Sequence, residues 1–241
     1  MSKYDKDKRF DLKPVRINPS ETEPLLEKGE GSAPFREENL LEIDLEPLVN
    51  LAGESIDEII AADPLDEMLE TVIESDLKFV GRVFTVEVDK VLLSDGRHSR
   101  REIVRHPGGA CVVALDLYSN IYLVQQYRLA INRLTLELPA GILEADETPE
   151  ECARRELYEE TGLIAEDWRH IASPLTSPGY SDEMLHIFLA EGLSKGMAHP
   201  DEGEFVALRK IPLNDAVKMV LNGSISDAKT CLGILLAARI A

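Results

Sequence analysis

Apolar and polar residues alternate from Phe79 to Leu93, where Ser94-Asp95-Gly96 reads as a turn. A period of two predicts a strand with one face turned inward. Ala110–Leu117 and Ile121–Tyr127 follow as two apolar runs split by Tyr118-Ser119-Asn120, the pattern of a hairpin. Leu134–Leu138 predicts a further strand, closed by Pro139-Ala140-Gly141. The period then lengthens. Thr148–Thr161 reads as a helix, followed by strands at His170–Pro174, Met184–Glu191 and Phe205–Pro212 and helices at Leu213–Leu221 and Asp227–Ile240. Strands, a helix, then strands and helices again predict an α+β domain over residues 71–241, with a mixed β-sheet layered between α-helices.

The first seventy residues follow a different pattern. Pro14, Pro19, Pro24, Pro34 and Pro47 punctuate them. Proline among many charges prevents a continuous element, so the chain to about Glu38 is expected to be extended or disordered. Between Leu40 and Leu69 apolar residues (Leu45, Leu48, Val49, Leu51, Ile56, Ile59, Ile60) recur among acids, which predicts one or two short amphipathic helices broken near Gly53 and Pro64. Residues 1–70 carry eight Lys and Arg against nineteen Asp and Glu, more than half of the excess negative charge of the chain. They are expected to form an acidic extension that packs on its own domain or a partner subunit, or docks another protein.

Composition narrows the function. With 44% hydrophobic residues in 241 the chain can bury a substantial core, and its net charge of -19 would repel a nucleic-acid backbone or an anionic membrane. A small phosphorylated substrate stays open, because a local cation can reverse the field inside a pocket. Cys111, Cys152 and Cys231 are odd in number and widely spaced, which argues against a disulfide framework or a structural zinc. No run approaches the roughly 18 apolar residues of a membrane span, and Met1–Arg16 has no apolar signal core. A cytoplasmic location is the expectation.

The chemistry is concentrated after Gly141. Thr148 is a good N-cap, Pro149 suits the first helical position, and Glu151 completes a capping box. Gly162 is a natural C-terminal stop. Inside this helix Glu156, Glu159 and Glu160 stand at i, i+3 and i+4 and share a face, beside Ala153 and Leu157 on the core side. Three carboxylates so placed repel one another unless a cation lies among them. Oxygen ligands suit a hard cation such as magnesium, with manganese as an alternative. Arg155 is placed to pair with Glu147 and brace the loop against the helix.

The series Gly141, Glu147, Arg155-Glu156, Leu157, Glu159-Glu160, Gly162, Leu163 has the full spacing of the Nudix box, so the chain resembles the Nudix hydrolases. The likeness runs from about Glu70 to Ala238. It resembles the ADP-ribose pyrophosphatase branch in Arg101-Glu102-Ile-Val-Arg-His-Pro-Gly108, Val124-Gln-Gln-Tyr-Arg128, Glu137-Leu-Pro-Ala-Gly141, Ser177-Pro178-Gly-Tyr-Ser-Asp-Glu183 and Asp227-Ala-Lys-Thr230. The resemblance implies a Nudix fold and magnesium-dependent hydrolysis of ADP-ribose to AMP and ribose 5-phosphate. Alternatives are hydrolysis of a UDP- or GDP-sugar, or a nucleotide-sensing domain without catalysis.

It also implies roles for particular residues. Glu156, Glu160 and the Ala140 carbonyl would be metal ligands, with Glu159 an additional carboxylate. Glu183 would be a ligand or the general base. Arg128 would contact the diphosphate, Arg101 and Glu102 would hold the adenosine side, and a homodimer would build the pocket through the strands before the box. Without the resemblance, Arg101 and Glu102 read as an exposed pair, His106 and His186 as hydrogen-bonded structural residues, and Trp168 as core or stacking surface.

Overall fold

The computed structural model describes residues 68–196 and 206–240. The extension expected over 1–70 lies outside the described residues except for its last three.

The central sheet has seven strands in the order β12-β5-β4-β10-β9, with β6 continuing against β5 and β7 against β4. Its middle is β4 (Gly109–Leu115), an unbroken apolar run that is buried along its whole length. Such a run, rather than an alternating one, is what a strand covered on both faces requires. β5 (Asn120–Arg128) turns back from it, but the two pair only at Ala114 with Tyr122 and Leu115 with Ile121. The expected hairpin is therefore joined at its tip alone. Below the tip β4 gives that edge to β7 (Ala140–Ile142), while β5 pairs with β6 (Arg133–Glu137) and, on its other side, with β12 (Ala207–Pro212). β10 (Leu185–Glu191) runs parallel to β4 and antiparallel to β9 (Asp167–Ala172), so the sheet is mixed as expected.

Alternation along β4 and β10 divides the core in two. Ala110, Val112, Ala114, Phe188 and Ala190 meet Cys152, Ala153 and Leu157 of α1 (Pro149–Thr161). Cys111, Val113, Leu115, Ile187 and Leu189 meet α2 (Leu213–Leu221) and α3 (Ala228–Ile240) through Leu213, Ala216, Ile234 and Ala237. The result is the helix-sheet-helix layering that the sequence pattern implies. Two short strands, β8 (Leu163–Ile164) and β11 (Ser194–Lys195), pair beside it.

The single strand expected over 79–93 is corrected by the structure. β1 (Thr71–Val80) and β2 (Thr85–Leu92) are antiparallel partners across a reversal at Gly81–Phe84, and β3 (His98–Arg105) follows the expected turn at 94–96 to make a three-stranded sheet. Gly81 makes the reversal possible, because a Cβ there would lie 2.6 Å from the Phe79 ring and 2.9 Å from the Phe84 carbonyl oxygen. Alternation alone runs straight through such a turn. β1 is exposed throughout, with Val72 54%, Leu77 55% and Val80 67% accessible.

Candidate active site

α1 begins and ends where its sequence dictates. The Glu151 N–H donates to Thr148 Oγ1 (3.3 Å) while Glu151 Oε2 accepts from the Thr148 N–H (2.9 Å), and Gly162 closes the last turn in the left-handed conformation with φ 68°. These caps fix the rotation of the helix, so burying Ala153 and Leu157 against the sheet sends Glu156 and Glu160 toward β7. The Ala140 N–H donates to Glu160 Oε2 at 2.9 Å, and Glu160 is 8% exposed. Gly141 receives Glu156: a Cβ there would fall 1.7 Å from Glu156 Oε1 and would push this carboxylate out of its place.

Arg155 supplies the positive charge among these acids. Its Nε and Nη2 donate to the two Glu147 oxygens (2.8 and 2.9 Å), and its Nη1 reaches Glu156 (2.6 Å) and Glu159 (3.1 Å). Arg155 holds the Glu147 carboxyl down to about 2, with burial opposing. Among the described residues no three His, Cys, Asp or Glu side chains are gathered as a ready metal cage.

A cleft of about 710 Å³ opens over these carboxylates. Its wall includes Ala140, Gly141, Arg155, Glu156, Glu159, Glu160, Arg128, Glu183, His106, Arg82 and Lys229. Glu183 arrives on the loop between β9 and β10. That loop is tied to the end of β3 by the Val104 N–H to the Tyr180 carbonyl (2.7 Å) and the His106 N–H to Asp182 Oδ1 (2.9 Å). Thr176 Oγ1 donates to Glu183 Oε2 at 2.7 Å. His106 Nδ1 lies 3.6 Å from Glu183 but accepts from the Gly108 N–H at 3.0 Å, so that nitrogen carries no proton toward the carboxylate.

Arg128 enters the cleft already paired. Its Nε and Nη2 donate to Glu137 Oε1 and Oε2 (2.8 and 2.7 Å), and Glu137 is 2% exposed. Lys229 Nζ, at the start of α3, bridges Glu137 (2.5 Å) and Asp227 (2.9 Å), and Thr135 Oγ1 donates to Glu137 at 2.6 Å. Burial opposes the charge of Glu137, yet Arg128 and Lys229 outweigh it and bring its carboxyl down to about 2. Burial likewise opposes the Lys229 ammonium, and Asp227 and Glu137 still hold its pKa above the ordinary value. A side pocket of about 440 Å³ opens off the same cluster toward Ile131, Arg133 and Ser226.

The structure thus gathers Ala140, Gly141, Arg155, Glu156, Glu159, Glu160, Arg128 and Glu183 around one cleft. Glu147 joins them through Arg155. Arg101 and Glu102 are elsewhere: both lie on β3 in the three-stranded sheet, and Arg101 is paired with Glu70. Sequence reasoning gives Glu137 and Lys229 no role of their own beyond standing in recognised motifs. The available signal is a single carboxylate between Leu136 and Leu138 in a strand. Trp168, open in the sequence, packs edge-on against Phe188 with the Arg154 guanidinium 4.6 Å above its ring. His186 shares the Ser173 hydroxyl with His170 (2.8 and 2.7 Å), a hydrogen-bonded arrangement as expected.

Residues 104–230 match the family model for the NUDIX domain. The ADP-ribose pyrophosphatase of Bacillus subtilis is 42% identical over 167 residues, 68% of this chain and 90% of that protein. The methanol dehydrogenase activator of Bacillus methanolicus is equally similar over the same shares. A crystal structure of an ADP compounds hydrolase superimposes with a TM-score of 0.63 over 70% of this chain and 92% of its own, at 22% identity, and shares the fold. From helix caps to carboxylate face the motif stands in its expected setting, and the chain belongs to the NUDIX domain family of hydrolases.

Proposed function

We propose that this enzyme hydrolyses the pyrophosphate of a nucleoside diphosphate derivative, ADP-ribose before others, to AMP and ribose 5-phosphate. The observation that carries the reading is the meeting of Glu156 and Glu160 with the Ala140–Gly141 backbone inside the cleft. The similarity to a pyrophosphatase of ADP-ribose supports the choice of substrate.

The donors fit a hard divalent cation. They are oxygens only, and the cleft wall sets six Asp and Glu against four Lys and Arg, an excess that an anionic substrate would otherwise meet as repulsion. Glu156, Glu160 and the Ala140 carbonyl would hold magnesium or manganese, with Glu159 beside them. When bound, the cation supplies positive charge against the phosphoryl oxygens. Glu183, steadied by Thr176, takes the proton of the attacking water or serves as a further ligand. Arg155 and Glu147 brace the loop between β7 and α1. Arg128 presents its remaining guanidinium face to the diphosphate. Arg128→Ala is expected to raise KM and lower kcat together, read from steady-state kinetics on the best substrate; unchanged constants would leave Arg128 as a partner of Glu137 only.

A magnesium-supplemented panel of ADP-ribose, UDP- and GDP-sugars, assayed for released nucleoside monophosphate, tests the substrate. A UDP- or GDP-sugar turned over faster than ADP-ribose would reassign it. Binding of nucleotide with no turnover of any compound would make the domain a sensor.

We further propose a cytoplasmic homodimer assembled through residues 71–105, with residues 1–70 as a separate acidic extension. No described helix is long and apolar enough to cross a membrane, and all three cysteines are free. Val72, Ile73, Leu77, Phe79 and Val80 are exposed apolar residues along β1, at about 25 cal/mol per Å² an unfavourable surface to leave in water. A two-fold pairing would also bring Arg101 and Glu102 toward a partner's cleft. Random mixing of Arg101→Ala and Glu160→Gln subunits should then restore roughly a quarter of wild-type activity, since half the dimers are mixed and each has one intact site. A monomer by light scattering with full activity would refute the shared pocket.

A further inference from the structure

The cations that line the cleft are unequally committed. Arg155 is held by Glu147, Glu156 and Glu159; Arg128 by Glu137; and Lys229 by Glu137 and Asp227. Arg82 alone of the four Lys and Arg has no carboxylate partner among the described residues. It belongs to neither the Nudix box nor any other motif that the sequence offers.

Its position is built rather than incidental. Arg82 stands on the reversal between β1 and β2, which the Gly81 N–H closes onto the Phe84 carbonyl at 2.9 Å and which the Phe79 and Phe84 rings flank, their centroids 5.8 Å apart. The carboxylates of the cleft come from α1, the loops after β7 and before β10, and the residue preceding α3, so Arg82 approaches them from a different sheet. A free guanidinium at the rim of a cleft with excess negative charge repays little by folding. Its planar fork suits two phosphate oxygens, and pairing with an incoming anion breaks no ion pair among the described residues.

We infer that Arg82 is a substrate-binding residue whose guanidinium takes the diphosphate of the substrate at the rim of the cleft, an inference that rests on the proposed nucleoside diphosphate reading. Arg82 and the paired Arg128 would then hold the diphosphate between two sheets, while Glu156 and Glu160 address the scissile end. Arg82 contributes binding in ground and transition states alike, so its loss raises KM more than it lowers kcat.

The test uses the full chain with inorganic pyrophosphate and magnesium as the probe in titration calorimetry, beside kinetics on ADP-ribose. Arg82→Ala is expected to weaken pyrophosphate binding about tenfold to a hundredfold and to raise KM by a similar factor with kcat nearly kept. Arg82→Lys should recover part of both, because it restores charge without the fork. Unchanged melting temperature in both variants is expected of an exposed residue with no ion pair among the described residues and keeps misfolding out of the comparison. Equal pyrophosphate affinity in wild type and Arg82→Ala, or no binding by wild type, overturns the role of Arg82 whatever the enzyme hydrolyses. Binding that depends on Arg82 in a protein that turns over no nucleoside diphosphate derivative would sustain the anion site and defeat the substrate reading instead.

Discussion

Glu160→Gln is expected to abolish most hydrolysis, by about a thousandfold or more, in a protein that folds as before. Glu160 is buried and its Oε2 accepts from the Ala140 N–H, a bond that the amide oxygen of glutamine reproduces at nearly the same volume. What glutamine cannot reproduce is the negative charge. A divalent cation is worth several kcal/mol to a phosphoryl transition state, and each 1.36 kcal/mol is a factor of ten. Stability should hold or rise slightly, because one of three like charges on a single helix face has gone. The measurements are kcat with magnesium and the thermal midpoint. Glu150→Gln, exposed on the same helix and paired with Arg154, is the control and should keep activity. Hydrolysis by Glu160→Gln within about tenfold of wild type, with the fold intact, would remove Glu160 from the ligand set.

The second large effect falls on stability. Glu137→Gln leaves the Arg128 guanidinium and the Lys229 ammonium without their shared counter-charge beneath the cleft. Removing one member of a buried ion pair costs about 3–5 kcal/mol, a large share of the roughly 5–15 kcal/mol that holds a domain together. A fall of about 10 °C in the thermal midpoint follows. Activity should fall too, since Arg128 and Lys229 line the cleft. A midpoint within a degree or two of wild type would show that the cluster contributes little.

Acid denaturation carries the same information with a definite sign. The Glu137 carboxyl is lowered in the folded protein from an ordinary value of 4.5 to about 2. Its contribution is therefore complete above about 4.5 and disappears as the pH falls toward about 2. In the wild type stability should drop across that window, with Glu147, also held near 2, adding to the slope. In Glu137→Gln the slope should be shallower by one proton. Equal slopes would mean that folding does not lower the Glu137 carboxyl.

α1 is legible in the sequence because everything that defines it is local. Thr148, Pro149, Glu151 and Gly162 act on backbone groups within one turn, and the i, i+3, i+4 spacing of Glu156, Glu159 and Glu160 is a property of the helix itself. The fully buried β4 and the helices at 213–221 and 228–240 are legible for a similar reason, since apolar period and length suffice to describe them. The reversal at Gly81 is not. Its sequence alternates as a straight strand would, and only the pairing of β1 with β2 requires the chain to turn there.

Site residues divide along the same line. The pairing of Arg155 with Glu147 spans eight residues and one loop, and the motif spacing already implies it. The contact of Lys229 with Glu137 spans ninety-two, and nothing in either segment selects the other. Residue order is enough for the fold family, the helix that carries the carboxylates and the chemistry for which they are suited, because local hydrogen bonding and side-chain spacing act while the chain is still open. It took the packed molecule to establish that Gly141 makes room for Glu156, that Arg128 is spent partly on Glu137, and that Arg101 stands away from the cleft in its own subunit. Those outcomes depend on which strand lies beside which, and long-range pairing is set by burial of the whole sheet rather than by any one segment.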